Sequence, residues 1–158
     1  MTIDARKFRN ALGNFATGIC VVTTARCDAL PIGMTINSFA SVSLEPPLVL
    51  WSIQNSSDCL RAFTESDRFA INVLASDQEN LSQQYAMRGG HELTPAHYSL
   101  GRTGSPVLKG ALNTFECKVW ARYPGGDHQI IVGEVLELKS RPTGRPLVFH
   151  QGKYARLR

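Results

Sequence analysis

The sequence predicts a mainly β fold, an antiparallel barrel with Greek-key connections and a few peripheral helices. Three observations carry this. About eight short runs rich in β-branched and aromatic residues are bounded by Gly, Pro, Asn and Asp. Most of them follow one another across short turns, as antiparallel neighbours allow. No Gly-rich dinucleotide fingerprint follows any run, which argues against a doubly wound parallel sheet. The chain has 158 residues, 43% of them hydrophobic and 19% charged. With no internal repeat or linker, this makes one domain, 1–158, large enough to bury a core.

Ile3, Phe8, Ala11, Leu12 and Phe15 include the i, i+3, i+4, i+7 spacing of an amphipathic helix, expected to end near Gly18. Residues 18–25 form a β-branched buried strand, and 26–31 turn it into a hairpin with the stretch that follows. That stretch, 33–43, is rich in hydroxyls and on its own reads as a pair of strands with a Ser/Thr-rich turn. After Pro46 and Pro47 comes a strand over 48–53. Asn55, Ser56 or Ser57 then caps a short helix containing Leu60 and Phe63. A strand over 69–74 precedes a helix opened by Asp77, Gln78 and Glu79. From Arg88 to Gly110 glycine and proline recur, and the segment reads as a long, mobile excursion with little regular structure. Alternation resumes at Phe115, Cys117 and Val119, with Glu116 and Lys118 facing the other way. A Pro-Gly-Gly turn leads to a strand over 130–138, and two short strands close the chain around Gln151 and Gly152.

The net charge is +4, and the basic residues are scattered apart from a small concentration between Arg141 and Arg158. A nucleic-acid protein carries a denser stripe, so no nucleic-acid partner is expected. Residues 1–7 lack the apolar core of a secretory signal, and no apolar run approaches the ~20 residues of a membrane span. Cys20, Cys27, Cys59 and Cys117 form no C-x-x-C pair. They read as reduced thiols of a cytoplasmic protein. No metal site is expected, since His91 and His97 lack a helical ligand spacing.

Four segments carry candidate chemistry. In the first, Gly33 allows close backbone approach, and Thr35, Asn37, Ser38, Ser41 and Ser43 offer neutral donors and acceptors beside apolar surface. That suits the edge of a planar heteroaromatic ligand. In the second, Asn55, Ser56 and Ser57 stand at a strand-to-helix junction that suits a phosphate, with Arg61 or Arg88 as countercharge. An ordinary capped helix explains the same residues. In the third, Asp127 can orient His128 to handle a proton or order a second ligand, against the plainer reading of a solvated histidine. The fourth is the closing hairpin with Tyr154. No Gly-x-Ser-x-Gly elbow is present.

Taken in order, these segments resemble the flavin reductase family with the flavin-binding split-barrel fold. That family includes the reductase partners of two-component aromatic monooxygenases. Residues 17–23, Thr-Gly-Ile-Cys-Val-Val-Thr, and 33–49, from Gly-Met-Thr-Ile-Asn-Ser-Phe-Ala-Ser-Val-Ser to Pro-Pro-Leu-Val, are similar to its motifs. The likeness continues through 69–74, through Gly126, Asp127, His128 and Ile130, and through Gly152, Lys153 and Tyr154. Ile36 is bulkier than the residue often found there, and 89–105 follows no pattern of the family.

The resemblance implies a homodimer whose flavin, FMN or FAD, lies in a groove bordered by both subunits. It implies that Met34, Thr35, Ile36, Asn37, Ser38, Ser41, Val42 and Ser43 line the ring and ribityl chain. Gln54, Asn55, Ser56 and Ser57 would hold the phosphate, with Ala86 and Arg88 adding contacts. His128, in the catalytic position, and Tyr154 would flank the nicotinamide of NADH or NADPH. The implied reaction is hydride transfer from NAD(P)H to flavin, with reduced flavin passed to a separate monooxygenase. Two readings stand beside it: a non-enzymatic flavin-binding protein of the same fold, and a related reductase with another acceptor such as cobalamin.

Overall fold

The computed structural model describes residues 2–158. Helix α1 (Ala5–Leu12) starts where the Lys7 amide donates to the Asp4 carboxylate at 2.8 Å, an N-cap that satisfies one orphan donor. It ends at Leu12 rather than near Gly18, because Thr17 and Gly18 are drawn into β1 (Thr17–Gly18) against the end of the chain. β2 (Cys20–Thr24) is buried along its whole length and pairs in a hairpin with β3 (Ile32–Ile36). Next come β4 (Ala40–Leu44), β5 (Pro47–Gln54), α2 (Leu60–Glu65), β6 (Arg68–Val73) and α3 (Glu79–Ala86). The chain continues through β7 (Tyr98–Leu100), β8 (Pro106–Leu108), β9 (Asn113–Gly125), β10 (His128–Ser140), β11 (Val148–His150) and β12 (Lys153–Ala155).

Seven strands form one antiparallel sheet in the order β3-β2-β6-β9-β10-β5-β4. The stretch 33–43 is therefore not a hairpin. Its two strands occupy opposite edges of this sheet and are joined only by Asn37, Ser38 and Phe39. In a flat seven-stranded sheet those edges would stand about 29 Å apart. The chain from Ile36 to Ala40 reaches at most about 14 Å. The sheet must therefore curl into a barrel whose two edges, β3 and β4, come close without pairing, which leaves the barrel split along that line.

One core cluster fills this barrel around Trp51, Ile53, Phe63, Phe69 and Ile71, with Trp51 edge-on to both phenylalanines. A second lies between the sheet and α3, built on Ile19, Val21, Leu74, Leu81, Tyr85 and Leu147. The segment 88–110 is more regular than its composition suggests. It contains a short 3-10 turn and the β7–β8 hairpin. Buried side chains bond its backbone to the barrel: the Thr23 hydroxyl donates to the Pro106 carbonyl, the Leu108 amide to Asn72, and Gln78 to the Lys109 carbonyl. Glycines and prolines there shape turns, and long-range hydrogen bonds supply the order that local sequence lacks.

Candidate functional site

The split in the barrel is where polar side chains gather. Ser38, in the link between the two edges, is locked to β5: the Ser52 amide donates to Ser38 Oγ at 3.0 Å, and that hydroxyl donates back to the Ser52 carbonyl at 3.3 Å. A pocket of about 230 Å³ opens beside it, lined by Met34, Thr35, Ile36, Asn37, Ser38, Ser52, Ile53, Gln54, Ser57 and His128. The structure thus brings together, from three separate segments (34–38, 54–57 and 128), eight of the residues singled out in the sequence.

His128 reaches the pocket because it opens β10 directly across from Gln54, the last residue of β5. Its Nδ1 lies 2.6 Å from Asp127 Oδ1. A carboxylate can only accept, so Nδ1 carries the proton and Nε2 is left for another partner. The hydrogen bond and charge of His128 hold the Asp127 carboxyl below the usual carboxylate range. The Asn55 amide donates to the Asp127 carbonyl at 2.8 Å, and its side chain donates to the Gly126 carbonyl at 3.3 Å. These bonds tie the turn after β5 to the β9–β10 turn beside the pocket mouth.

Asn55, Ser56 and Ser57 do not cap a helix. α2 begins at Leu60 with Cys59 in the N-cap position, and the Ser57 hydroxyl accepts from the Cys59 amide at 3.2 Å within the preceding turn. The Ser57 hydroxyl thus takes a backbone donor in the turn before the helix rather than one in its first turn. Arg61 pairs with Glu65 one helical turn on, at 2.7 Å, and faces a different cleft. That cleft, about 840 Å³, is lined by Arg26, Asp28, Asp58, Arg61, Glu65 and Arg68 among others. Its lining is densely charged, whereas that of the smaller pocket is neutral apart from His128, which suits the edge of a neutral heteroaromatic ring better.

The remaining sequence candidates stand apart from the pocket. Ser41, Val42 and Ser43 lie on edge strand β4, whose register shifts between Ser41 and Ser43. Ala86 ends α3, and Arg88 follows it on an exposed turn. Tyr154 sits on β12 in the small sheet β1-β11-β12; its hydroxyl is 2.9 Å from that of Ser82 on α3. The Thr35 hydroxyl donates to the Ser82 carbonyl at 2.7 Å, so Tyr154 joins the pocket strand only through α3. Ser52 and Ile53 line the pocket without having been singled out. The run 48–53 reads as apolar packing, and its alternation across the barrel wall was the available signal. Ile36 is buried in the barrel core while also bordering the pocket.

Comparison with known proteins gives this arrangement its family. The family model described as "Flavin reductase like domain" matches residues 12–158. The chain belongs to the flavin reductase-like family. Among relatives, it is 49% identical over 153 residues to the FMN reductase (NADH) SmoA of Agrobacterium fabrum, covering 97% of this chain and 86% of that protein. It is 38% identical over 154 residues to HsaB, the reductase subunit of a flavin-dependent monooxygenase of Mycobacterium tuberculosis, covering 96% and 82%. A solved structure of the Streptomyces globisporus NADH:FAD oxidoreductase SgcE6, in complex with NAD and FAD fragments, matches with a TM-score of 0.92 at 33% identity, covering 100% of this chain and 97% of that one.

The pocket of this flavin reductase-like chain fits a flavin ring on its own chemistry. Met34, Ile36 and Ile53 give apolar walls, while Asn37, Ser38, Ser52 and Gln54 present neutral hydrogen-bonding groups. Its one titratable side chain is His128. A site for a cofactor that performs its own redox chemistry needs this composition, with orienting groups and no strong acid or base.

Proposed function

We propose that the protein is an NAD(P)H:flavin oxidoreductase that delivers reduced FMN or FAD to a separate monooxygenase component. The observation that carries it is the pocket at the barrel split, where His128, held by Asp127, faces neutral donors and apolar walls. The names of the relatives, an NADH-dependent FMN reductase and a monooxygenase reductase subunit, support the same reading.

A bound flavin supplies the hydride-accepting chemistry, with NADH or NADPH as donor. The chain's own residues then orient, enclose and exclude water. Met34, Ile36 and Ile53 wall the ring, and Asn37, Ser38 and Gln54 meet its polar edge. Ser57 and the turn around it, with Asn55 and Ser56, border the phosphate end. His128, its Nδ1 occupied by Asp127, offers Nε2 to the carboxamide of the nicotinamide.

We also propose a homodimer. A pocket of about 230 Å³ in one chain is smaller than the ~300–1,000 Å³ of typical small-molecule sites. The long β9–β10 arm and the β4 edge expose Trp120, Leu138, Val42 and Leu44, apolar area that a second copy would cover. Four free cysteines suit a reducing, cytoplasmic setting, and no helix among the described residues is long and apolar enough to cross a membrane.

The test is NADH and NADPH oxidation by the purified chain with and without added FMN or FAD. Flavin-stimulated oxidation is expected. Flavin binding without stimulation would instead favour a storage protein, and stimulation only by another acceptor such as cobalamin would redirect the activity.

A further inference from the structure

A second constellation lies next to the flavin pocket and shares none of its lining residues. His91 follows α3 and runs along the β3 edge, where its backbone is clamped: the Gly33 amide donates to the His91 carbonyl at 2.8 Å, and Leu93 donates to the Pro31 carbonyl at 2.8 Å. Its Nδ1 lies 3.1 Å from the Gly33 carbonyl. A carbonyl only accepts, so Nδ1 carries the proton and the other nitrogen, in the neutral ring, presents a bare lone pair. That Nε2 points at Asp58 Oδ1, 3.3 Å away. The thiol of buried Cys59 approaches the same oxygen at 3.9 Å.

Between these two atoms at 3.3 Å stands either a second ring proton, which makes His91 and Asp58 an ion pair, or a metal ion. A third ligand-type atom, Cys59 Sγ, stands beside them and suits a metal ion, which on binding displaces the thiol proton now directed at Asp58 Oδ1. Asp58 Oδ1, Cys59 Sγ and His91 Nε2 all lie within 4.8 Å of one another. Tetrahedral ligands held about 2.0–2.3 Å from zinc stand roughly 3.3–3.7 Å apart. The His91–Asp58 and Cys59–Asp58 separations, 3.3 and 3.9 Å, lie close to that range, and the Cys59 side chain closes the remaining distance to His91 on binding. The Nδ1–H bond to a backbone carbonyl is also the outer-shell contact that orients metal-bound histidines.

We infer that Asp58, Cys59 and His91 form a binding site for a zinc-class divalent cation. Nitrogen, thiolate and carboxylate donors together select zinc or cobalt over magnesium and calcium. Three protein ligands leave the fourth position open. Asp58 also lines the charged cleft with Arg26 and Arg61, from which water or a small anion could reach that position. Arg26 is the cation that opposes the metal, and an anionic fourth ligand offsets it. Occupancy would tie the turn after β5 to the segment following α3, two elements the sequence leaves unconnected.

The test uses the full-length chain carrying Cys27→Ser, which removes the exposed thiol, after stripping with chelator. Titration with Co²⁺ should saturate at one ion per chain, with a thiolate-to-cobalt charge-transfer band that Zn²⁺ abolishes. Cys59→Ser should lose the band. Asp58→Asn, an isosteric change at a half-exposed position, should keep the fold by circular dichroism and weaken Co²⁺ binding about tenfold or more, as should His91→Gln. Absence of saturable binding overturns the inference, as does binding without a thiolate band or unaffected by Asp58→Asn. Neither result bears on flavin reduction, since no pocket-lining residue is altered.

Discussion

Replacing Asn72 with alanine tests how the 88–110 segment is held. Asn72 lies in β6 and is fully buried. Its amide donates to the Val21 carbonyl at 2.9 Å and to the Thr23 hydroxyl at 3.1 Å; its Oδ1 accepts from the Leu108 amide at 2.9 Å and from Thr114 at 3.4 Å. The Lys109 amide bonds the His97 carbonyl, so in this extended strand the Leu108 amide points the other way, onto Asn72. Alanine leaves that buried N–H without an acceptor, a cost of about 1–3 kcal/mol. The space vacated by the carboxamide adds about 1 kcal/mol. The expected loss is about 3 kcal/mol, a large part of the ~5–15 kcal/mol that holds a domain together. Urea unfolding followed by far-UV circular dichroism should show a lower midpoint with unchanged slope. Hydrogen exchange at Leu108 and Lys109 should accelerate by more than at β2. A loss below about 1 kcal/mol, or unchanged exchange at Leu108, would refute the view that this side chain anchors the hairpin.

Three further outcomes follow from the geometry. His128→Ala should raise KM for NAD(P)H about tenfold while leaving flavin affinity within about twofold; unchanged steady-state constants would remove His128 from its role. Burial pushes the Cys20 thiol up to about 12, and burial with the nearby Glu116 charge does the same for Cys117, both from an ordinary 9.0. A folded-state value above the unfolded one gives stability that is complete below about pH 9 and lost as pH rises toward about 12. The urea midpoint should therefore fall through that window, and in the native state only exposed Cys27 should react with a thiol reagent; a flat midpoint or several reactive thiols would contradict this. Leu138→Glu, on the exposed arm, should lower the sedimentation mass to that of a monomer and weaken flavin binding together, and a wild-type chain that already sediments as a monomer would end the homodimer proposal.

Much of the barrel is legible locally. The β-branched run at 20–24 and the alternation of Phe115, Cys117 and Glu116 mark strands wherever they are placed, because side-chain period reflects burial on one face or both. The mobile excursion and the N-cap at Asn55 to Ser57 were misjudged for one shared reason. Turn residues announce a change of direction, but their order comes from partners distant in sequence, such as Asn72 for Leu108 and the Asp127 carbonyl for Asn55. Ser52 escaped notice because an apolar run hides a single polar residue on the face opposite Trp51 and Ile53.

By itself the sequence determined a mainly β, antiparallel fold, and its ordered motifs marked out Met34 to Ser38, Ser57 and His128 together. Only the tertiary structure decided that the stretch 33–43 divides between opposite sheet edges. The physical reason is reach: three linking residues force a seven-stranded sheet to curl, and the pocket opens beside that link, between β3, the end of β5 and the start of β10. Backbone bonds lay the segment after α3 against β3, which turns His91 toward Asp58 and Cys59. Spacing along the chain carries no trace of that meeting, since it depends on which strand edges face each other.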